Sequence, residues 1–233
     1  MRLSEQIDAL ARLTIFAQLG QQALVRLAQS CAWRNYAAHE QIVSYQDNST
    51  DVAFLLAGKA RAIIYSLEGK PVVFADLLPG SMFGEIAAID GKGRSATVEA
   101  EQPCTVASLS ADGFEKLMLS EPSVAIGTLR RVAADYRRLS ERIFEFSTLA
   151  VRNRIHAELL RLASKFQKDG NEAVLSPSPS LSDIAYRIST HREAVSRELS
   201  LLISSGLLRR EGGNLRITNL AKLEKMVHEA RGD

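Results

Sequence analysis

Val52-Ala53-Phe54-Leu55-Leu56, Ala60-Arg61-Ala62-Ile63-Ile64-Tyr65 and Val72-Val73-Phe74-Ala75-Asp76-Leu77-Leu78 are three β-rich runs set among glycines 58, 69, 80 and 91, which recur every eleven residues. Short strands punctuated by turn signals at this interval predict an antiparallel sandwich or barrel. Thr97-Val98-Glu99-Ala100 and the run from Cys104 to Leu109 extend the sheet. Helical pieces are expected on either side, one near residues 4–30 and one beginning around Ser110.

Embedded in this region is Phe83-Gly84-Glu85-Ile86-Ala87, followed after a turn-rich insert by Arg94-Ser95-Ala96-Thr97. A glycine lets backbone N–H groups approach an anion closely. An arginine fork can hold two phosphate oxygens at once. A carboxylate repels phosphate, so the natural partner of Glu85 is a neutral hydroxyl such as a sugar's. Phosphate and sugar hydroxyl together point to a nucleotide. A plain strand–turn–strand with a surface salt bridge is the alternative.

The bulk numbers narrow the class. A chain of 233 residues accommodates one large domain or two modest ones, and 46% hydrophobic with 24% charged residues is ordinary globular composition. Met1-Arg2-Leu3-Ser4-Glu5 lacks the apolar stretch of a signal peptide, and the longest apolar run, Val52 to Ala57, is too short to span a bilayer. Cys31 and Cys104 stand alone, without a disulfide framework or enough thiolates for an iron–sulfur centre. A cytoplasmic location without membrane attachment is expected. No nucleophile–base pair or metal cluster stands out, and His39, His156, His191 and His228 are scattered, so no enzyme and no cofactor are expected. Residues 1–150 carry 15 basic and 17 acidic side chains, whereas residues 151–233 carry 14 and 10. The net +4 of the second part hints at an anionic partner.

Ser120-Glu121-Pro122 reads as a helix start, a hydroxyl before an early proline. Ala125, Leu129, Val132, Tyr136, Leu139, Ile143, Phe146 and Ala150 then recur in alternating steps of four and three, a heptad seam roughly 38 Å long. Arginines 130, 131, 137, 138 and 142 occupy its outer faces, which leaves one narrow apolar stripe. Such a stripe suits a two-helix dimer; packing on the helix's own domain is the alternative. A third segment begins near Val151, where Ile155, Leu159, Leu160 and Leu162 mark another amphipathic helix, followed by a Ser176-Pro177-Ser178-Pro179-Ser180 loop.

The stretch from Leu181 to Leu199 scans as two short helices with a tight turn at Ser189-Thr190. Ile184, Ala185 and Ile188 face inward from the first helix, Val195 and Leu199 from the second, joined by Leu202 and Ile203. Small Ala185 permits a close crossing, which is helix-turn-helix logic. The exposed side of the second helix carries Arg192, Glu193, Ser196 and Arg197. Arginine can donate two parallel hydrogen bonds to guanine O6 and N7, while glutamate can accept from cytosine N4. After Gly206 a β-hairpin with arginines 209, 210 and 216 forms a wing suited to phosphates. An ordinary helical hairpin with solvated charges is the alternative.

In this order the segments resemble the cyclic-AMP receptor protein (catabolite activator)/fumarate–nitrate regulator superfamily of bacterial transcription regulators, over nearly the whole chain. The resemblance rests on the cassette from Phe83 to Thr97 and on Arg192-Glu193-x-Val195-x-Arg197. It implies an α+β chain: a cyclic-nucleotide-binding, jelly-roll-like β-roll over 1–120, a dimerisation helix and hinge over 121–150, and a winged helix-turn-helix over 151–233. The implied ligand residues are Gly84, Glu85, Ile86, Ala87, Arg94, Ser95 and Ala96, with Glu85 on the ribose 2′-hydroxyl and Arg94 and Ser95 on the cyclic phosphate. Leu139 and Ser140 stand where the cyclic-AMP receptor presents a threonine–serine pair to adenine, and Asp135 stands where it has an arginine. The effector is therefore cyclic AMP, cyclic GMP or both. Thr190, His191, Arg192, Glu193, Ser196, Arg197, Arg209 and Arg210 are the implied DNA contacts, with His191 replacing the usual hydroxyl cap. Leu129, Val132, Tyr136, Leu139, Ile143 and Phe146 form the implied homodimer seam. The implied partners are a palindromic double-stranded promoter site and RNA polymerase. A same-family sensor of another ligand, or of none, and a cyclic-nucleotide-gated regulatory subunit without DNA binding are the other readings.

Overall fold

Two helices, α1 (Leu3–Ala11) and α2 (Gln21–Ser30), open the chain in the computed structural model, which describes residues 1–166 and 168–232. The single helical piece expected near 4–30 is thus broken by a 3-10 turn at Thr14–Phe16, which drives Phe16 edge-on against Phe54 with ring centroids 4.9 Å apart. Next come β1 (Ala32–Tyr36), β2 (Gln41–Val43), β3 (Val52–Ala57), β4 (Ala60–Tyr65), β5 (Pro71–Leu77) and β6 (Met82–Phe83). A short helix α3 (Glu85–Asp90) precedes β7 (Thr97–Ala100), β8 (Cys104–Leu109) and α4 (Ala111–Ser120), the last capped by the Ser110 hydroxyl, which accepts from Gly113 N–H.

The strands form two antiparallel sheets of order β1-β8-β3-β6 and β2-β7-β4-β5. β3 explains why Val52–Leu55 is continuously apolar: Ala53 and Leu55 point into the space between the sheets, and Val52 and Phe54 point under the helices. Alternating side chains of one strand serve two cores. Gly58 is required at its turn, because its φ is +87° and a Cβ there would collide with the Pro103 carbonyl.

α5 (Pro122–Thr148) is the long helix, with proline in its first turn as expected. It ends two residues before Ala150, so the apolar stripe closes at Phe146 and Ala150 instead caps α6 (Val151–Ala163). Then follow β9 (Lys168–Asp169), β10 (Glu172–Leu175), α7 (Leu181–Arg187), α8 (Arg192–Ser204), β11 (Leu208–Glu211), β12 (Asn214–Ile217) and α9 (Leu220–Arg231). Their sheet has the order β11-β12-β10-β9, so the wing hairpin is widened by a second hairpin. Ile184, Ala185, Ile188, Val195, Leu199 and Leu202 are all buried in one core with Ile155 and Leu159; Ile203 is half-buried against it.

The chain divides into two compact units, residues 1–135 and 136–233. The division falls inside α5 because its last turns are tied into the second unit by charge. Arg142 bonds Glu158 at 2.8 Å, Arg161 bonds Glu145 at 2.7 Å, and Arg231 also reaches Glu145. Glu145 and Glu158 are 1% and 2% exposed. Arg142, expected on an outer face, is instead half-buried against the buried Glu158 carboxylate, its guanidinium also donating to the Arg187 carbonyl. Among the described residues no helix is long and apolar enough to cross a membrane.

Candidate functional site

The cassette begins where β6 ends. Gly84 has φ +84°, and a Cβ there would collide with Arg94 Nη1 and stand 2.6 Å from the Asp51 carbonyl oxygen. Only glycine lets the chain turn there and lets the arginine pass behind it. Glu85 follows as the first residue of α3 and is 8% exposed. Its Oε2 is buried and has no partner, an arrangement that leaves one acceptor aimed at nothing the protein supplies. Burial pushes its carboxyl above the ordinary 4.5; Arg131 and Arg94 pull the other way and Asp135 adds to the rise.

Arg94 is 5% exposed, on the segment entering β7. Its Nε donates to Ser49 Oγ at 3.0 Å, and its Nη1 donates to the carbonyls of Asp51 at 2.8 Å and Gly84 at 3.2 Å. The expected two-nitrogen grip is therefore half engaged already, and Nη2 is the nitrogen left for an anion. Ser95 is exposed and Ala96 half-buried beside it. Ile86 is exposed, whereas the Ala87 side chain is 2% exposed in the core and offers a site only its backbone. Arg131 Nε donates to Asp135 at 2.7 Å, so the cation facing Glu85 stands one helical turn before Asp135. Leu139 and Ser140 belong to the second unit, both on the exposed side of α5. Gly84, Glu85 and Arg94 are thus brought together. Ser49 and Asp51 join them through strand pairing and Arg131 acts on Glu85 from α5, none of them with a local sequence signal.

In the second unit α8 presents Arg192, Glu193 and Arg197 to solvent, with Ser196 half-buried between them. Ser189 takes the left-handed conformation (φ +50°) in the turn before it, and Thr190 N–H closes onto the Ala185 carbonyl at 3.0 Å. His191 is the N-cap residue, and its side chain makes no cap bond, leaving it exposed. The carbonyls ending α7 accept from Arg142 at Arg187 and from Arg154 at Ile188, cations where the helix dipole favours them. On the inner side of α8, His156 and the Glu198 carboxylate meet at 2.6 Å, both buried. The wing exposes Arg209 and Arg210. Arg216, expected to face phosphate with them, is held by Glu211 and Glu172, each at 2.9 Å, and its charge is already answered.

A β-roll with a phosphate-type cassette, followed by a winged helix-turn-helix with a basic reading face, defines a ligand-sensing, DNA-binding regulator. The cyclic nucleotide-binding domain family matches residues 33–121 and the Crp-like helix-turn-helix domain family matches residues 153–226. The chain belongs to the CRP/FNR family of transcription regulators, which is not an enzyme family. It is 23% identical over 183 residues to the cAMP-activated global transcriptional regulator CRP of Pasteurella multocida, covering 78% of this chain and 88% of that one. Its fold is similar to that of FixK2 from Bradyrhizobium japonicum, with a TM-score of 0.72 and 21% identity over 84% of this chain and 96% of that one. It is also similar to the c-di-GMP responsive global regulator CLP of Xanthomonas campestris, with a TM-score of 0.66 and 19% identity over 85% and 99% of the two chains.

Proposed function

We propose that the protein is a homodimeric transcription regulator whose affinity for a palindromic promoter site is set by a cyclic mononucleotide, cyclic AMP or cyclic GMP. The observation that carries this reading is the pairing of buried Glu85, with one unpartnered oxygen, and buried Arg94, with one uncommitted nitrogen, on either side of Gly84. A sugar hydroxyl answers the first and a cyclic phosphate the second, with Ser95 beside it. The N-terminal 1–120 is the sensor, 121–150 the dimerisation helix with a hinge at its end, and 151–233 the DNA reader. Arg192, Glu193 and Arg197 read base edges; Arg209, Arg210 and His191 meet phosphates. In the competent dimer two recognition helices lie about 34 Å apart in successive major grooves. The nucleotide acts by binding one arrangement of the reading heads more tightly, and a hundredfold preference is about 2.7 kcal/mol. Contact with RNA polymerase follows from the family.

A second reading, a family member tuned to a different ligand, draws support from the engaged Arg131–Asp135 pair and from Leu139 at the position of an adenine-reading hydroxyl. Calorimetry with cyclic AMP and cyclic GMP, each with and without an operator duplex, separates the two. Under the first reading one of them binds, binding tightens the operator complex, and Arg94→Leu abolishes the response while circular dichroism is unchanged. Unaltered affinity in Arg94→Leu removes the pocket assignment.

A further inference from the structure

The loop joining β2 to β3, residues 44–51, lies outside the cassette, yet it bonds both the main chain and the guanidinium of Arg94, to which the cassette itself adds the Gly84 carbonyl at Nη1. Arg94 N–H donates to the Asp47 carbonyl at 2.9 Å, and Gln46 N–H donates to the Arg94 carbonyl at 3.0 Å. The guanidinium is met by Ser49 Oγ at Nε and by the Asp51 carbonyl at Nη1. Ser49 is itself fixed, since its N–H donates to Asp47 Oδ1 at 2.8 Å in a tight turn.

These bonds divide the work. The two main-chain bonds set where Arg94 sits, and the two guanidinium bonds set where it points. A guanidinium is planar, so anchoring Nε and Nη1 leaves no freedom in the direction of Nη2. The Asp51 anchor is a backbone carbonyl, present whatever the side chain there. Ser49 is the anchor that depends on residue identity. We propose that Ser49 is a positioning residue of the phosphate grip: its hydroxyl accepts the Arg94 Nε proton and thereby aims Nη2 at the anion. This rests on the assignment of Arg94 as the phosphate ligand. It also makes the loop, and not the cassette alone, part of the sensor's specificity.

Calorimetry with cyclic AMP and cyclic GMP on the full chain tests it, using Ser49→Ala, Ser49→Thr, Arg94→Lys and the Ser49→Ala/Arg94→Lys double variant. Ser49→Ala is expected to weaken binding roughly five- to twentyfold, the effect of losing one hydrogen bond to a charged group. Ser49→Thr keeps the hydroxyl and restores affinity to within about twofold. Lysine offers no counterpart of Nε, so in the Arg94→Lys background Ser49→Ala adds nothing. Ligand-free Ser49→Ala is expected to melt lower, because the buried Nε loses its acceptor, so it is the lysine background, where Ser49→Ala leaves nucleotide affinity unchanged, that separates aiming from stability. Wild-type affinity in Ser49→Ala, beside a protein that binds nucleotide and loses it in Arg94→Leu, overturns the role of Ser49 alone. An equal loss in the lysine background does the same. If the wild-type protein binds neither nucleotide, the pocket assignment itself has failed and takes this role with it.

Discussion

Glu85 is the residue whose chemistry is least settled by its surroundings. Its buried oxygen lacks a donor, and burial favours the neutral acid, so its carboxyl lies above 4.5 in the free protein. A raised carboxyl contributes its stability at low pH and loses it as pH climbs through the raised value. Ligand binding has the opposite preference. A sugar hydroxyl donating to Glu85 favours the carboxylate, so the bound form titrates lower than the free form. Below the free value, binding must release a proton, and affinity rises with pH until that value is passed. Calorimetric titrations from pH 4.5 to neutrality, in two buffers of different ionisation heat, read both the affinity and the released proton. Glu85→Gln is expected to bind more weakly and to flatten the profile. A flat wild-type profile removes the hydroxyl contact.

At the scale of elements, the recognition helix α8 is held by more than apolar packing. His156 on α6 and Glu198 on α8 are 3% and 8% exposed and meet at 2.6 Å, one residue beyond Arg197 on the reading face. Removing one partner leaves the other buried without its bond. His156→Leu alone is expected to cost about 3 kcal/mol in chemical denaturation, whereas His156→Leu with Glu198→Leu returns to within about 1 kcal/mol of wild type, because both polar groups are then gone. Additive costs would mean the two residues act independently. Neither the pair nor the Glu145–Glu158 cluster was legible beforehand, since the bonds that tie one element to another join residues 16 to 86 positions apart and each charge in isolation reads as solvated surface. β3 was legible because a strand buried on both faces is continuously apolar, and β4, β5, β7 and β8 because short β-rich runs stand between turn signals. β1 was not: Ala32–Tyr36 is largely exposed at the edge of its sheet and carries Arg34 and Asn35 in its middle. α3 was hidden for a different reason, being six residues long and enclosed by Gly84 and Gly91, both turn signals. The cassette announced Glu85 and Arg94, but the loop that aims Arg94 comes from a distant turn rich in polar residues, and pairing of β2 with β7 is what brings it there.

For the whole molecule the decisive question is what covers α5. Leu129, Tyr136 and Ile143 are 64%, 73% and 66% exposed, and Val132 and Leu139 are 38% exposed, all on the heptad stripe. Such a row of large apolar groups on a charged helix is costly to leave in water, at roughly 25 cal/mol for each Å². Phe146, at the end of the row, differs: the guanidinium groups of Arg142 and Arg154 both lie over its ring, 5.0 and 5.5 Å from its centre. The seam should therefore be carried by Leu129 to Ile143, with Phe146 serving the local charge cluster instead. Tyr136→Glu with Ile143→Glu places two like charges against their counterparts across a twofold seam and removes the burial that holds it. The variant is expected to sediment as a monomer with unchanged secondary structure. Its affinity for a palindromic duplex should fall at least about a hundredfold, since the second half-site no longer binds as an intramolecular event, while its affinity for an isolated half-site stays the same. Phe146→Leu, by contrast, should leave the dimer intact. A wild-type protein that sediments as a monomer, or a double variant that still holds the palindrome as tightly, would show that reading heads act singly and that the stripe on α5 serves some other contact.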